Sequence, residues 1–242
     1  MIGAARWRPS RRSAVTALAL LVPAPSIGVL VALSGPTDES GATTTLAQAV
    51  WLLSKLWILL LPVAWHRFVD GRAPRVPRPA AAGMPAAVLS GALFAIVITS
   101  AYATLGRRWI DVGAAGERIA AAGLDSLPLY AGMALYWCTV NSLLEEYVWR
   151  WFVFTRCEAV RPGLPAVLAA GLFFTLHHTI ALAAFFDDAR TVVLASIGIW
   201  VAGASWSWIY LRWRNIYAAW LSHALADLAI FWIGYRIVFA AG

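Results

Sequence analysis

Seven runs of about twenty mostly apolar residues follow one another along the chain, at roughly 13–33, 46–65, 81–105, 127–154, 164–186, 191–213 and 216–239. A hydrocarbon core about 30 Å thick needs roughly 20 such residues for a helix to cross it. In lipid only helices and closed barrels satisfy every backbone group. A barrel would show short alternating segments, whereas these runs are long and continuous. The sequence therefore predicts an all-α polytopic membrane protein with about seven transmembrane helices, the range being six to eight. Its composition agrees, because a 242-residue chain with 61% hydrophobic and 13% charged residues is too apolar for a water-soluble domain. No linker divides the chain and no strong internal repeat is visible. Residues 1–242 thus read as a single integral membrane domain, with three spans in 13–105 and four in 127–239.

The net charge of +7 reports topology, not a nucleic-acid partner. Arg6, Arg8, Arg11 and Arg12 precede the first span, and Arg67, Arg72, Arg75 and Arg78 separate the second from the third. The first opposite loop carries Asp38 and Glu39. Positive charge stays inside, so the N-terminus is expected in the cytoplasm. Arg156, Arg161, Arg212 and Arg214 fall on the same side, and an odd span count puts the C-terminus outside. The composition suits a bacterial cytoplasmic membrane. The basic start also suits a signal peptide, but the first run is long and lacks a small-residue cleavage site, which favours an uncleaved span. The outer loop at 106–126 is expected to hold a small interfacial helix. The tryptophans of "WSWIYLRWRNIYAAW" read as an interfacial belt. Cys138 and Cys157, about 28 Å apart along one helix, cannot form a disulfide.

Within this apolar chain the stretch "NSLLEEYVWRWF" at 141–152 places two glutamates and an arginine inside a span. A charge near the bilayer centre costs on the order of 3 kcal/mol, so such groups need a reason to be there. The others within spans are Lys55, His177, His178, His223 and Asp227. Apart from Lys55 they fall on the fourth, fifth and seventh helices. On a helix, positions four apart are neighbours. Glu146 can then pair with Arg150, while Glu145 points about 140° away from the arginine and is free for another partner. Asn141 lies one turn before Glu145, and His223 shares a face with Asp227. At 1.5 Å per residue, Glu145, the paired histidines and His223 lie about 14, 20 and 10 Å from the cytoplasmic ends of their helices. A buried polar site between helices four, five and seven follows, with Glu145 expected within about 5 Å of His178 or His223.

These residues resemble the motifs of the CPBP family of intramembrane proteases, which includes the CAAX prenyl endopeptidases and the Abi proteins. "EEYVWR" is similar to EExxxR, "FFTLHH" to FxxxH, and "HALAD" to HxxxN or HxxxD, in that order along 145–227. The resemblance makes 127–239 the catalytic helices and leaves the first three spans without a recognised motif. It implies that Glu145 is a general base and His178 its partner, that Glu146 and Arg150 brace the base, and that His223 donates to an oxyanion. FxxxH is satisfied twice, and relatives with paired histidines favour His178 over His177. Asp227 stands where an asparagine would supply an amide, and either orients and charges His223 or donates while protonated. The expected substrate is a membrane-associated protein or peptide, lipidated or not. A metal-free glutamate mechanism is favoured; the alternative is zinc on Glu145, His178 and His223. Two other readings stand beside the protease, namely a non-catalytic Abi-like scaffold or immunity factor, and an ion-coupled transporter, whose paired repeats are not found. On plainer readings Lys55 is paired or snorkelling, His66 an interface residue, His177 a packed core residue, and Asn141 a neighbour of the site or a packing residue.

Overall fold

The computed structural model describes residues 9–34, 44–73 and 78–240. Arg6, Arg8, Asp38, Glu39 and Arg75, used above for topology, lie outside them. The described residues form eight helices and no strand: α1 (Arg11–Leu33), α2 (Thr45–Val69), α3 (Met84–Trp109), α4 (Val112–Ala121), α5 (127–160), α6 (Leu164–Phe185), α7 (Ala189–Trp213) and α8 (Ile216–Phe239). Six of them, α1, α2, α3, α6, α7 and α8, are long and apolar enough to cross a membrane. The expected fourth span is the helical run α5, which alternates α and π turns and continues to Val160. The fold is all-α and polytopic.

Helix starts follow local chemistry. Ser10, Thr44, Asp111 and Asp188 each accept a hydrogen bond from an amide three residues on, satisfying donors a helix leaves open. The Asp188 carboxyl also accepts from Arg190, which with the capped amide of Thr191 holds it at about 2. Proline occupies the first turn of α3, α5 and α6, where its missing N–H does no harm. The third span begins at Met84 instead of residue 81, because Gly83 is in the left-handed region at φ 85°. The carbonyls of Ala80 and Ala82 point instead to Asn215 Nδ2, at 2.7 and 2.9 Å.

Packing is that of a protein in lipid. Large aliphatic residues such as Leu46, Leu60 and Leu89 face outward, while Ala14, Ala17, Ala87, Ala218 and Ala219 are fully buried. With lipid as apolar as leucine, close backbone approach holds the helices together. A side chain on Gly171 of α6 would come within 2.7 Å of the Ala204 amide nitrogen on α7. One on Gly91 of α3 would meet Leu225 and the Cα of Ser222 on α8.

The basic segments gather at one end of the bundle. Arg156 of α5 pairs with Asp70 beyond α2, where His66 Nδ1 lies 3.3 Å from the same carboxylate. Arg214 pairs with Glu158, and Trp65 donates to Ser13 at the start of α1. This pairing explains why α5 outruns its expected end, since Arg156 and Glu158 are buried in the cluster. The small helix expected in the 106–126 loop is α4, tied to the opposite end by Arg118, which donates to the Phe185 carbonyl and to Asp187.

Candidate active site

α5 delivers two adjacent carboxylates into different surroundings. The α turn Ser142–Glu146 lies between the π turns Trp137–Asn141 and Tyr147–Phe154. Such i→i+5 turns re-aim side chains within a helix and recur at functional sites. The Glu146 side chain is sealed at 0% exposure, while that of Glu145 retains 19% and can meet a substrate or water. Asn141 Nδ2 donates to Glu145 Oε1 at 3.0 Å. Arg150 Nε approaches Glu146 Oε2 at 3.2 Å but is not aimed as a hydrogen bond, so the contact is an ion pair. The guanidinium also donates to the Gly203 carbonyl at 3.2 Å and lies over the rings of Phe174 and Trp206, 4.8 and 5.1 Å from their centroids. A buried cation thus has one counter-charge, one carbonyl and two π faces.

α8 brings His223 to both glutamates. Its Nδ1 lies 2.9 Å from Glu146 Oε1. A carboxylate only accepts, so Nδ1–H donates and Nε2 faces the rest of the site. Nε2 is 3.7 Å from Glu145 and 3.6 Å from Asp227, flanked by two carboxylates at ion-contact range. The ring stacks on Trp206 of α7 at 4.0 Å between centroids and 17°. Trp206 is fixed in turn by an indole hydrogen bond of 3.0 Å to Ser222, which lies 2.9 Å from Ser90 of α3.

α6 contributes both histidines. His178 Nδ1 lies 2.8 Å from the Phe174 carbonyl one turn earlier. It must donate there, which leaves Nε2 as the lone pair of the neutral ring. His177 stacks on Trp149 at 5.4 Å and 7°, with its Nδ1 buried and unbonded. One ligand atom from each of Glu145, His177 and His178 lies within 4.8 Å of the others. A carboxylate with two imidazoles is a zinc-type donor set, and it contains His177 where the sequence reading chose His223.

The structure therefore brings Asn141, Glu145, Glu146, Arg150, His177, His178, His223 and Asp227 into one layer between α5, α6 and α8. Two assignments change. Trp206, read as part of an interfacial belt, is 3% exposed and stacks on His223, whereas Trp208 two residues later is half exposed. Glu146 braces His223 as well as Arg150, a contact between residues 77 apart that spacing could not disclose. Ser90, Ser222, Gly203 and Phe174 were also missed; Phe174 had been read only as the first letter of FxxxH. A cavity of about 370 Å³ lined by His66, Gly71, Arg72, Ala73 and Trp151 lies away from this layer, at the basic end.

Residues 127–229 match the family described as type II CAAX prenyl endopeptidase Rce1-like. The matched stretch holds every residue of the layer. No curated protein and no solved structure matches the chain.

Proposed function

We propose that the chain is a membrane protease of the type II CAAX prenyl endopeptidase kind whose family its residues 127–229 match, with Glu145 as its general base. The observation that carries the reading is the contrast between two neighbouring carboxylates. Glu146 is sealed and spent on Arg150 and His223, while Glu145 is partly open and faces imidazoles on two other helices. Water held between Glu145 and Nε2 of His178 loses a proton to Glu145 and attacks the scissile carbonyl. The developing oxyanion takes a hydrogen bond from His223 Nε2–H. Because Nδ1–H is committed to Glu146, His223 donates from Nε2 as an imidazolium, with Glu145 and Asp227 supplying counter-charge. The proton on Glu145 then passes to the leaving amine as the C–N bond breaks. Arg150 and Glu146 hold the base and the donor in place.

The reaction proceeds without a metal in this reading. Glu145, His177 and His178 would hold zinc if one were present, and its chemistry there would be polarisation of the carbonyl or activation of water. The substrate is a membrane-associated protein or peptide cut near the membrane surface, and the N-terminus with the basic end of the bundle faces the cytoplasm. The experiment that tests the reading is Glu145→Gln. It keeps the shape of the carboxylate but cannot take a proton, so hydrolysis should fall about two to four orders of magnitude in a protein that stays folded and in the membrane. Full biological activity in a stable Glu145→Gln protein would overturn the protease reading and return the chain to the scaffold, whereas undiminished hydrolysis would put the base elsewhere.

A further inference from the structure

Among the described residues, Lys55 is the charge near the middle of a span that the mechanism leaves unused. It lies near the middle of α2, Thr45–Val69, about 15 Å from the start and about 21 Å from the end at 1.5 Å per residue, too deep for snorkelling, which serves residues near helix ends. An ammonium at that depth costs on the order of 3 kcal/mol and calls for a carboxylate. Among the described residues Lys55 has no ion pair and no hydrogen-bond partner. Its contact is the ring of Trp51 one turn earlier, 5.7 Å from the centroid. The residue is partly exposed, so the ammonium can be reached.

Its position is not arbitrary. The Tyr147 hydroxyl donates to the Leu59 carbonyl at 3.0 Å, pinning α2 to α5. Leu59 is one turn after Lys55, and Tyr147 is two residues after Glu145. The ammonium is within electrostatic reach of both His177 and His178. A lone cation therefore stands beside the layer that carries the base, without an anion of its own.

We propose that Lys55 anchors the free C-terminal carboxylate of the substrate. This rests on the protease reading above and gives the tail of its substrate a partner in this chain. A lipid headgroup phosphate would sit at the interface, not in mid-span. A peptide tail drawn into the layer brings a carboxylate whatever its side chains. Charge-assisted hydrogen bonds from an ammonium to a carboxylate in a low-dielectric site are strong enough to select for it.

The test uses the purified full chain in phosphatidylcholine vesicles and two farnesylated peptides ending in a C-a-a-X sequence, identical except that one has a free carboxylate and the other a C-terminal amide. Wild type should favour the acid by about ten- to a hundredfold in kcat/KM. Lys55→Met should bring that ratio close to one, and Lys55→Arg should keep most of it. Equal cleavage of both peptides by wild type, or an unchanged ratio in a folded Lys55→Met protein, would overturn the anchor while leaving the protease standing. The wild-type comparison decides even where a variant fails to fold. Cleavage of neither peptide would overturn the protease reading and the anchor with it.

Discussion

His223 Nδ1 sits 2.9 Å from Glu146 Oε1, so a carboxylate sealed from solvent orients an imidazole on another helix while also facing Arg150. Removing the glutamate charge therefore has two separable effects. Glu146→Gln leaves Arg150 buried without its counter-ion, which should cost about 3 to 5 kcal/mol in unfolding free energy. Adding Arg150→Met should recover much of that stability, because a buried ion pair can be replaced by apolar packing. Activity should not return with it, since His223 has lost its charged acceptor. Unfolding in detergent and peptide hydrolysis, measured on the wild type, Glu146→Gln, Arg150→Met and the double variant, check both halves; losses that simply add would deny the ion pair.

The two histidines of α6 should separate by role. His178 gives Nδ1–H to the Phe174 carbonyl and keeps Nε2 for chemistry, while His177 packs on Trp149. His178→Ala should match Glu145→Gln in lost rate, and His177→Ala should be milder, about tenfold. Metal analysis with activity before and after chelation completes the comparison, with activity expected to survive chelation. Equal loss in both histidine variants together with inactivation by chelation would favour zinc on Glu145, His177 and His178.

The sequence disclosed the site's membership more fully than its wiring. Glu145, Glu146, Arg150, His223 and Asp227 stood out because a charge in an apolar run is costly, and depth arithmetic put them in one layer. The four-residue spacings also placed Glu146 near Arg150 and His223 near Asp227. Hydrophobic runs do not report whether a turn closes at i+4 or i+5, so the π turns on either side of Ser142–Glu146 were invisible. Nor could spacing show that Trp206 turns inward, because a tryptophan near a helix end suits both an interface and a stack on His223. The N-terminal spans were legible only as spans, although Ser90 of α3 reaches Ser222 beside His223.

Backbone approach between α6 and α7 supports the same layer. Gly171 faces the Ala204 amide, and the next residue back, Gly203, gives its carbonyl to Arg150. Gly171→Ala puts a methyl group into backbone that cannot yield as a side chain would, and should destabilise the protein by about 1 to 3 kcal/mol. Gly198 of α7 has open space around it, and Gly198→Ala serves as the control that should leave stability unchanged or slightly raised. Thermal unfolding of the two variants reads the difference; equal midpoints would mean that the helices are not held at this distance.

Asp227 is the residue on which the charge of His223 turns. Its Oδ1 lies 3.6 Å from His223 Nε2, too far for a good hydrogen bond but close for an ion contact, and its Oδ2 is buried without a partner. If the oxyanion donor is an imidazolium, as the commitment of Nδ1–H to Glu146 requires, a carboxylate at this place stabilises the donating form and an amide does not. Asp227→Asn keeps the size of the side chain and adds a donor, so the fold should hold and the unfolding midpoint should stay within a degree or two. The rate should nonetheless fall about ten- to a hundredfold, less than the hundred- to thousandfold loss expected for His223→Ala, which removes the oxyanion donor itself. The deciding measurement is kcat for both variants under saturating peptide, alongside their thermal midpoints. Undiminished kcat in Asp227→Asn would mean that this position needs only an amide-like hydrogen-bonding group, and that His223 takes its charge from Glu145 and Glu146 alone.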